Sequence, residues 1–413
     1  MDSNLIDALK NGSLKTPAYV FHLEMLQEHV NKLREIIGKR LSLCYAMKAN
    51  PYLLPALSSA VDHIEVCSPG ELELCRHYSV PGEKILFSGV NKTAEDIDTA
   101  VSYGCDILTI ESCRHLNLIH SVCEQRKKSV KVILRLTNGD QFGMDAQQIL
   151  AILEQREKYP LLDFYGIHFF SGTQKKNVQK SLDELVMLQD FLTLLQKEVH
   201  YAPRLLEYGP GLSVPYFEGE DFSTPYQGLS ALVAEINRIG FPCPLTLEMG
   251  RYFAASCGFY FTKIDDIKQN HGHPYILVDG GIHHLNYYGQ TMAMRIPIIE
   301  HLQMHTTNSS DTSVGSDSSS LGSDTSAGSD TLEYSICGSL CTFADVLVRK
   351  KLLTGPRIDD ILVFQNAGAY SVTEAPFLFL SRTMPSIYTY SSLDGIQCIR
   401  SGPESYPINQ NDA

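Results

Sequence analysis

The sequence predicts an α/β domain, a (β/α)8 TIM barrel, followed by an all-β domain. Between about residues 40 and 250, eight short β-rich runs alternate with helix-like stretches, which is the order of elements in such a barrel. This alternation stops near residue 255. A chain of 413 residues is also longer than one hydrophobic core usually serves, so two domains are expected.

The eight runs are short and apolar, as strands buried on both faces of a parallel sheet are. They are Leu41–Tyr45, His63–Cys67, Ile85–Ser88, Asp106–Ile110, Lys131–Leu136, Phe164–Phe169, Leu205–Tyr208 and Leu245–Glu248. The stretches between them, such as residues 181–199, carry apolar residues at helical spacing. An open doubly wound sheet is the alternative, but it usually has fewer strands and places its phosphate site after the first one.

After residue 255, strand-like runs follow one another without long helices, and residues 17–23 are also strand-like. We therefore expect three parts: an N-terminal segment (1–25) that joins the β domain, the barrel (26–255), and a C-terminal β-sandwich or β-barrel domain (256–413). Within that last part, residues 304–331 repeat Gly-Ser-Asp units and contain almost no apolar residues to bury. This composition predicts a disordered insertion.

Composition excludes several classes of protein. The formal net charge is −13 and no stripe of Lys or Arg is present, which argues against nucleic-acid binding. Eleven cysteines without a CxxC pair are typical of reduced thiols in a cytoplasmic protein. The start has no apolar signal-peptide core, and no run approaches about 20 apolar residues, so no membrane span is expected. We expect no metal site.

Polar residues end the predicted strands, and in a barrel these ends meet at one face. Lys48 follows the first strand, Glu65 lies near the end of the second, and Arg135 lies in the fifth. The sixth runs into residues 168–173, the seventh ends in a Gly-Pro-Gly segment, and the eighth ends in Glu248. Each residue alone is common at a surface. Their recurrence at the same end of successive strands indicates a site.

The chemistry of this set points to one cofactor. A lysine amine can form a Schiff base with a carbonyl cofactor. Gly209 and Gly211 allow backbone N–H groups to approach a phosphate. Glu248 can pair with a protonated ring nitrogen, and Phe170 can lie against a ring. Together these features predict a pyridoxal 5'-phosphate (PLP) site on Lys48.

Eight motifs follow one another along nearly the whole chain, except in the Ser/Asp insertion. They are YAMKAN (45–50), EVCSPGEL (65–72), GIHFFSGTQ (166–174), EYGPGLSVPY (207–216), LEMGR (247–251), VDGGIHH (278–284), CGSLCTFADVL (337–347) and NAGAY (366–370). In these motifs and their order, the chain resembles the fold-type III PLP enzymes of the alanine racemase-like, group IV decarboxylase family, which includes ornithine and diaminopimelate decarboxylases.

The resemblance implies a role for each matching position. Lys48 carries the cofactor and Glu248 holds its pyridine nitrogen. The positions around the phosphate are Gly209, Gly211, Gly250, Arg251 and Tyr370, with Thr173 in place of a family serine.

The resemblance also implies that Glu65, Glu71 and Arg135 contact the cofactor or support residues that do. Cys341 comes from the partner subunit of a homodimer and returns a proton after CO2 leaves, and Asp345 lies on the same substrate-facing segment.

Two positions depart from the family pattern. The usual triple glycine reads Gly209-Pro210-Gly211, and Pro210 cannot donate an N–H to the phosphate. Phe170 stands where many members stack a histidine on the cofactor. A phenylalanine can still stack, but it cannot form a hydrogen bond or carry a charge.

The substrate is predicted from the residues around Cys341. Thr342 follows it, where both standard decarboxylases have an acidic residue, and Tyr287 stands where diaminopimelate decarboxylases have an arginine. Both standard substrates are therefore disfavoured. The pattern is closer to biosynthetic-cluster members that act on carrier-bound glutamyl groups or on citryl-diamino-acid siderophore intermediates. Arg295 could bind a distal carboxylate, although it could equally be a surface arginine.

The sequence thus predicts a cytoplasmic, homodimeric PLP-dependent decarboxylase of an amino-acid-derived substrate. One alternative is a PLP-dependent amino-acid racemase on the same fold. Another is a PLP-binding homeostasis protein without turnover, a class that is usually a single barrel. His168 is expected to line the site, because it shares a strand face with Phe170. For His283 and His284, a structural role and a substrate contact are both open.

Overall fold

The computed structural model describes residues 2–287, 293–304 and 331–411. The chain forms two compact units, which we call the barrel unit and the β unit. The barrel unit comprises Met25–Pro215 and Asp221–Ala254, and the β unit comprises Met1–Glu24, Tyr216–Glu220 and Ala255–Ala413. Apart from its two end residues, the insertion predicted at 304–331 lies outside the described residues.

The chain begins with three elements: α1 (Ser3–Lys10), β1 (Ala18–His22) and α2 (Leu23–Ile37). The Asp2 side chain accepts the N–H of Asn4 at 2.9 Å, which caps the first turn of α1 as Asp commonly does. Helix α1 is amphipathic and packs its buried face into the core of the β unit. Helix α2 buries an apolar residue at every third or fourth position, which is the spacing of one helix face.

Eight parallel strands close the barrel. They are β2 (Leu41–Ala46), β3 (His63–Val66), β4 (Ile85–Phe87), β5 (Ile107–Ile110), β6 (Val130–Leu136), β7 (Leu162–Phe170), β8 (Leu205–Gly209) and β9 (Leu245–Met249). Each predicted run overlaps one of them, so the predicted fold class is confirmed. Strand β2 pairs with both β3 and β9, which closes the ring.

Helices connect these strands. They are α3 (Leu54–Leu57), α4 (Pro69–His77), α5 (Ala94–Tyr103), α6 (Cys113–Arg126), α7 (Ala146–Glu154), α8 (Val178–Val199), α9 (Gln227–Ile239) and α10 (Arg251–Ala254). Four of them begin at a capping side chain that accepts the N–H three residues later: Ser68, Thr93, Ser112 and Asp145. These caps fix where the chain turns from the carboxyl end of a strand into the next helix.

The barrel interior changes from apolar to polar along its axis. An apolar cluster joins five different strands: Cys44, Leu86, Ile107, Ile133 and Leu205. Because side chains alternate along a strand, the residue two positions further on also points inward, one layer nearer the carboxyl face. On four of these strands that residue is polar: Ser88, Thr109, Arg135 and Glu207. We call these four side chains the polar layer. It lies directly next to the apolar cluster, on the side of the carboxyl face.

The β unit contains a nine-stranded sheet that includes β1. Its other strands are β10 (Gly258–Asn270), β11 (His273–Val278), β12 (Ile299–Leu302), β13 (Thr331–Cys337), β14 (Val346–Thr354), β15 (Ile361–Phe364), β16 (Ser386–Ser391) and β17 (Gly395–Arg400). The long β10 pairs with β1 and β15 over its first part and with β11 over its second. The sheet therefore branches at β10. Within the described residues, no helix combines the length and apolar character that crossing a membrane requires.

Candidate active site

Lys48 is held by two carboxylates at the carboxyl face of the barrel. It lies in a short 3-10 turn that directly follows β2. Its Nζ donates to Glu65 Oε2 at 2.5 Å and lies 3.7 Å from Glu248 Oε1. These two carboxylates come from β3 and β9, the strands on either side of β2, and both are almost fully buried. The Lys48 side chain is 40% exposed, so the amine is accessible from solvent.

Glu248 also contacts His168, which projects from β7. A hydrogen bond of 2.9 Å joins His168 Nε2 to Glu248 Oε2, and both side chains are buried. Burial raises the pKa of Glu248, but the positive charge of Lys48 and the hydrogen bond with His168 outweigh burial and lower the pKa below its ordinary value. The carboxylate is therefore ionised at neutral pH. An ionised carboxylate in this position can bind the protonated nitrogen of a ring.

Cys67 contacts Lys48 but was not among the predicted site residues. Its thiol donates to Glu65 Oε1 at 2.9 Å, and its Sγ lies 3.4 Å from Lys48 Nζ. Burial, together with the charge of Glu65, raises the pKa of this thiol well above its ordinary value, so it stays protonated. The signal in the sequence was its spacing: Cys67 lies two residues after Glu65, on the same face of the strand.

Glu207 is a second buried carboxyl that the sequence analysis missed. It lies on β8, in register with His168 on one side and Thr246 on the other, and is fully buried. Burial and the nearby charge of Glu248 raise its pKa well above the ordinary value. Glu207 is therefore a neutral acid in the polar layer of the barrel, while Glu248 carries the negative charge.

Arg135 and Glu71 hold backbone at the same face. Arg135 donates to Glu111 Oε1 at 2.6 Å, both side chains are buried, and Glu111 Oε2 accepts the N–H of Gly143 at 3.1 Å. Glu71 accepts the N–H of Cys67 at 2.6 Å. Through Glu111, Arg135 therefore fixes the loop after β6, and Glu71 fixes the end of β3.

Two glycines let the ends of β7 and β8 approach each other closely. A Cβ at Gly209 would collide with the ring of Phe170. Gly211 has a φ of +62°, and a Cβ there would overlap the carbonyl oxygen of Gly172. Only glycine avoids both the contact and the strain. We call Gly172, Thr173, Gly209 and Gly211 the glycine cradle. Pro210, between Gly209 at the end of β8 and Gly211, has no N–H.

Gly250 and Arg251 lie where β9 ends. Arg251 is the first residue of α10 and is buried, and the carbonyl of Gly250 accepts the N–H of Phe253 at 3.1 Å. A basic side chain and a helix start are thus placed at the same end of the barrel as the glycine cradle, because all strands run parallel.

The barrel unit fits PLP. The cofactor needs an amine for its aldehyde, an acid for its ring nitrogen and room for its phosphate beside backbone donors. Lys48 and Glu248 supply the first two within 3.7 Å of each other. At the cradle, a Cβ on Gly209 or Gly211 would collide with the Phe170 ring or the Gly172 carbonyl, so both positions require glycine.

In the β unit, Cys341 and Thr342 lie in the turn between β13 and β14. Both side chains are exposed, whereas Asp345, four residues after Cys341, is only 3% exposed. Its two carboxylate oxygens accept the N–H groups of Ile282 and Leu340 at 2.8 and 2.7 Å. Asp345 was predicted to face the substrate, but its carboxylate is occupied by backbone donors. It fastens the Cys341 turn to the Gly-Gly-Ile-His-His segment.

Tyr287 and Arg295 also have protein partners in the β unit. The Tyr287 hydroxyl donates to the carbonyl of Gln365 at 2.7 Å, and its ring is buried against Tyr216. Arg295 pairs with Glu220 at 2.5 Å, and its guanidinium lies 4.1 Å from the centre of the Phe217 ring. A substrate carboxylate would have to compete with Glu220 for this arginine. The predicted substrate contacts of both residues stay predictions.

His283 and His284 form a buried pair with ring centres 3.7 Å apart. Hydrogen bonds join His284 to the Tyr260 hydroxyl and to the carbonyl of Thr383. Burial lowers the pKa of His283 to about 4 and that of His284 to about 3, so both rings are neutral at pH 7. Tyr370, a predicted phosphate contact, has a φ of 64°, and its carbonyl accepts the N–H of Glu374.

Comparisons with known proteins identify the family of the chain. The family model described as "Pyridoxal-dependent decarboxylase, pyridoxal binding domain" matches residues 23–255. L-glutamyl-[BtrI acyl-carrier protein] decarboxylase of Niallia circulans is 26% identical over 396 residues, 90% of this chain and 88% of that protein. The 2-[(L-alanin-3-ylcarbamoyl)methyl]-2-hydroxybutanedioate decarboxylase of Staphylococcus aureus is 26% identical over 404 residues, 92% of this chain and 96% of that protein.

The solved structures show the same fold. Diaminopimelate decarboxylase of M. jannaschii, crystallised with L-lysine, superposes with a TM-score of 0.83 at 21% identity, covering 99% of this chain and 94% of that one. The family resemblance, the barrel fold, decarboxylation and the PLP cofactor, all predicted from the sequence, are confirmed. The chain belongs to the pyridoxal-dependent decarboxylases.

Proposed function

We propose that this decarboxylase acts on an amino acid whose distal end is joined to a larger group through an amide or a thioester, and not on a free diamino acid. Two similar proteins act on substrates of this kind: one on a glutamyl group bound to an acyl-carrier protein, the other on an alanine unit joined through an amide to a hydroxybutanedioate. Free diaminopimelate is the substrate named for other relatives of similar identity, so identity alone does not decide between the two classes.

The observation that carries the proposal is the charge of the Cys341 turn. Residues 341–344 read Cys-Thr-Phe-Ala, and all four side chains are exposed and uncharged. The next carboxylate, Asp345, is buried and already accepts two backbone hydrogen bonds. A distal ammonium group would lose its water here without gaining an anionic partner, which is costly. A neutral or anionic distal group would not meet this cost.

We assign the chemistry to the following residues. When bound, PLP supplies the electron sink that accepts the electrons of the broken C–CO2 bond. Lys48 holds the cofactor, and Glu65 and Cys67 orient Lys48. Glu248, kept ionised by Lys48 and His168, holds a proton on the ring nitrogen. The glycine cradle and Arg251 would hold the phosphate, and Phe170 would pack against the ring. Cys341 gives a proton to the carbon that has lost CO2.

We further propose that Cys341 acts in the active site of a second copy, so that the enzyme is a homodimer with shared sites. The support is the surface of the Cys341 turn. Phe343, two residues after Cys341, is fully exposed. A large exposed aromatic side chain beside an exposed thiol is typical of a surface that another chain buries.

Subunit mixing tests this arrangement. Lys48→Ala and Cys341→Ala should each have little activity alone. When the two variants are mixed, unfolded mildly and allowed to reassociate, half of the dimers are mixed and each mixed dimer has one intact site. About a quarter of the wild-type activity is then expected from statistics alone. If no activity returns although the variants exchange subunits, Cys341 does not act across a dimer.

The substrate class is tested by CO2 release from matched compounds. The acyl-linked set is 2-[(L-alanin-3-ylcarbamoyl)methyl]-2-hydroxybutanedioate and a glutamyl thioester, and the diamino-acid set is diaminopimelate, L-ornithine and L-lysine. We expect kcat/KM to be about a hundredfold higher for the better acyl-linked compound, the size of effect that a buried group without a hydrogen-bond partner produces. Thr342→Asp adds a carboxylate to the turn and should therefore reduce the difference in kcat/KM between the acyl-linked and the diamino-acid compounds. Faster turnover of a diamino acid by the wild type would refute the proposal.

A further inference from the structure

We infer that the Lys175–Glu184 ion pair is a positioning device for the glycine cradle: it holds the ends of β7 and β8 at the spacing that a phosphate group requires. The inference rests on the proposed placement of the PLP phosphate at this cradle. Neither residue was among the predicted site residues, because they lie nine positions apart and belong to different elements, a loop and α8.

Glu184 joins three parts of the barrel unit. From the second turn of α8, its carboxylate pairs with Lys175 Nζ at 2.7 and 2.9 Å and accepts the Tyr208 hydroxyl at 2.7 Å. It also accepts a hydrogen bond from the Ser171 hydroxyl. Ser171 directly precedes Gly172, and Tyr208 directly precedes Gly209. One carboxylate thus holds both sides of the cradle immediately before each side begins.

Lys175 ties the same two strand ends from the other side. Its backbone N–H donates to the carbonyl of Gly211 at 2.9 Å. Its side chain passes beside the cradle, since a Cβ at Gly211 would lie 3.3 Å from Lys175 Cε. The neighbouring Gln174 exchanges two hydrogen bonds with the backbone of Val214, at 2.9 and 2.7 Å. The loop after β7 and the loop after β8 are therefore joined at two successive residues, Gln174 and Lys175.

Helix α8 also holds Pro210. Ser181 lies three residues before Glu184, on the same helix face, and its hydroxyl donates to the carbonyl of Pro210 at 3.1 Å. Because Pro210 has no N–H, the remaining backbone donors of this segment must be placed by contacts outside it. Ser181 and Glu184 supply those contacts.

The ion pair suits this task because it is largely withdrawn from water. The side chains of Lys175 and Glu184 are 9% and 18% exposed. Removing one partner leaves the other charge poorly solvated, so the network rearranges rather than losing a single bond. A cradle held in place before the ligand arrives binds it without an ordering cost. The pair should therefore affect phosphate binding more than it affects the rest of the site.

The test compares PLP with pyridoxal, which lacks the phosphate, in the variant Glu184→Gln. Both are titrated into the apoenzyme and followed by absorbance. We expect the Kd for PLP to rise at least about tenfold, the loss typical when a residue that orients binding groups is removed, with the Kd for pyridoxal unchanged. Lys175→Met should raise the Kd for PLP by a similar factor. In the double variant, the Kd for PLP should rise by less than the product of the two single factors, because both residues belong to one pair.

Two further variants make the outcome decisive. Glu198→Gln, which breaks an exposed ion pair with Lys197 on the same helix, should leave both Kd values unchanged. Gly211→Ala should weaken PLP and spare pyridoxal. Suppose Gly211→Ala raises the Kd for PLP alone. If Glu184→Gln then leaves the Kd for PLP unchanged, or raises the Kd values for PLP and pyridoxal equally, the positioning role is wrong and the proposed phosphate site stands. If Gly211→Ala changes neither ligand, the placement of the phosphate itself is wrong.

Discussion

Lys48→Ala is expected to abolish the visible absorbance of lysine-bound PLP and to reduce kcat/KM by about four orders of magnitude or more, as loss of a covalent catalytic group does. The reason is geometric. Lys48 is the amine held between Glu65 and Glu248 at the end of β2, 2.5 Å and 3.7 Å from their oxygens. Alanine removes the amine and leaves two buried carboxylates facing each other without a cation.

The matched control for this variant is Lys131→Ala. Lys131 lies on a barrel strand and, like Lys48, pairs with a carboxylate, here Asp106 at 2.8 Å, and its side chain is similarly exposed. It stands near the start of β6, at the opposite end of the barrel from Lys48. Its replacement should leave the absorbance and turnover close to those of the wild type. Retention of the band in Lys48→Ala would remove Lys48 from the site.

Glu248→Gln is expected to lower kcat by about 10²–10³-fold with little change in thermal stability, the effect typical of losing one preorganised electrostatic contact. Glutamine has the same shape but no charge, so it cannot hold a proton on the ring nitrogen. Stability should be kept because Lys48 retains Glu65 as a partner and its side chain is 40% exposed, so no charge is left buried and unpaired. The measurements are kcat, the pH dependence of the cofactor absorbance, and the melting temperature.

Glu207→Gln is the control for Glu248→Gln. Glu207 is on the neighbouring strand, equally buried, and neutral because burial and Glu248 raise its pKa. An amide should therefore replace it with less than about a tenfold change in kcat, within the range of an uncharged hydrogen-bonding group. If Glu207→Gln were the more damaging of the two, the negative charge would have to be assigned to Glu207 instead of Glu248.

The barrel could be predicted from the sequence because its strands are short apolar runs with a strict alternation, and their polar ends must share one face. Lys48, Glu65 and Glu248 were found in this way. The same period of two could have found Cys67 and Glu207. Each lies two residues from a residue that was noted, but a cysteine or a buried acid is not by itself a signal of function.

Other contacts depend on the direction of a side chain, which a motif does not specify. Asp345 stands four residues after Cys341, a spacing that also permits a turn in which its carboxylate faces inward to Ile282 and Leu340. The Lys175–Glu184 pair depends on how the loop after β7 folds against α8. Such partners are set by tertiary packing, so the sequence alone could not reveal them.

The claim that Lys48 holds the cofactor has a direct test. The PLP-loaded enzyme is reduced with borohydride and digested, and the pyridoxyl group is located by mass spectrometry. Reduction converts the bond between cofactor and lysine into a stable one, so the labelled peptide reports which amine held the cofactor. We expect a single label on Lys48, in the peptide that contains Tyr-Ala-Met-Lys-Ala-Asn. A label on another lysine, such as the buried Lys92, or no label on an enzyme that still releases CO2, would contradict the claim.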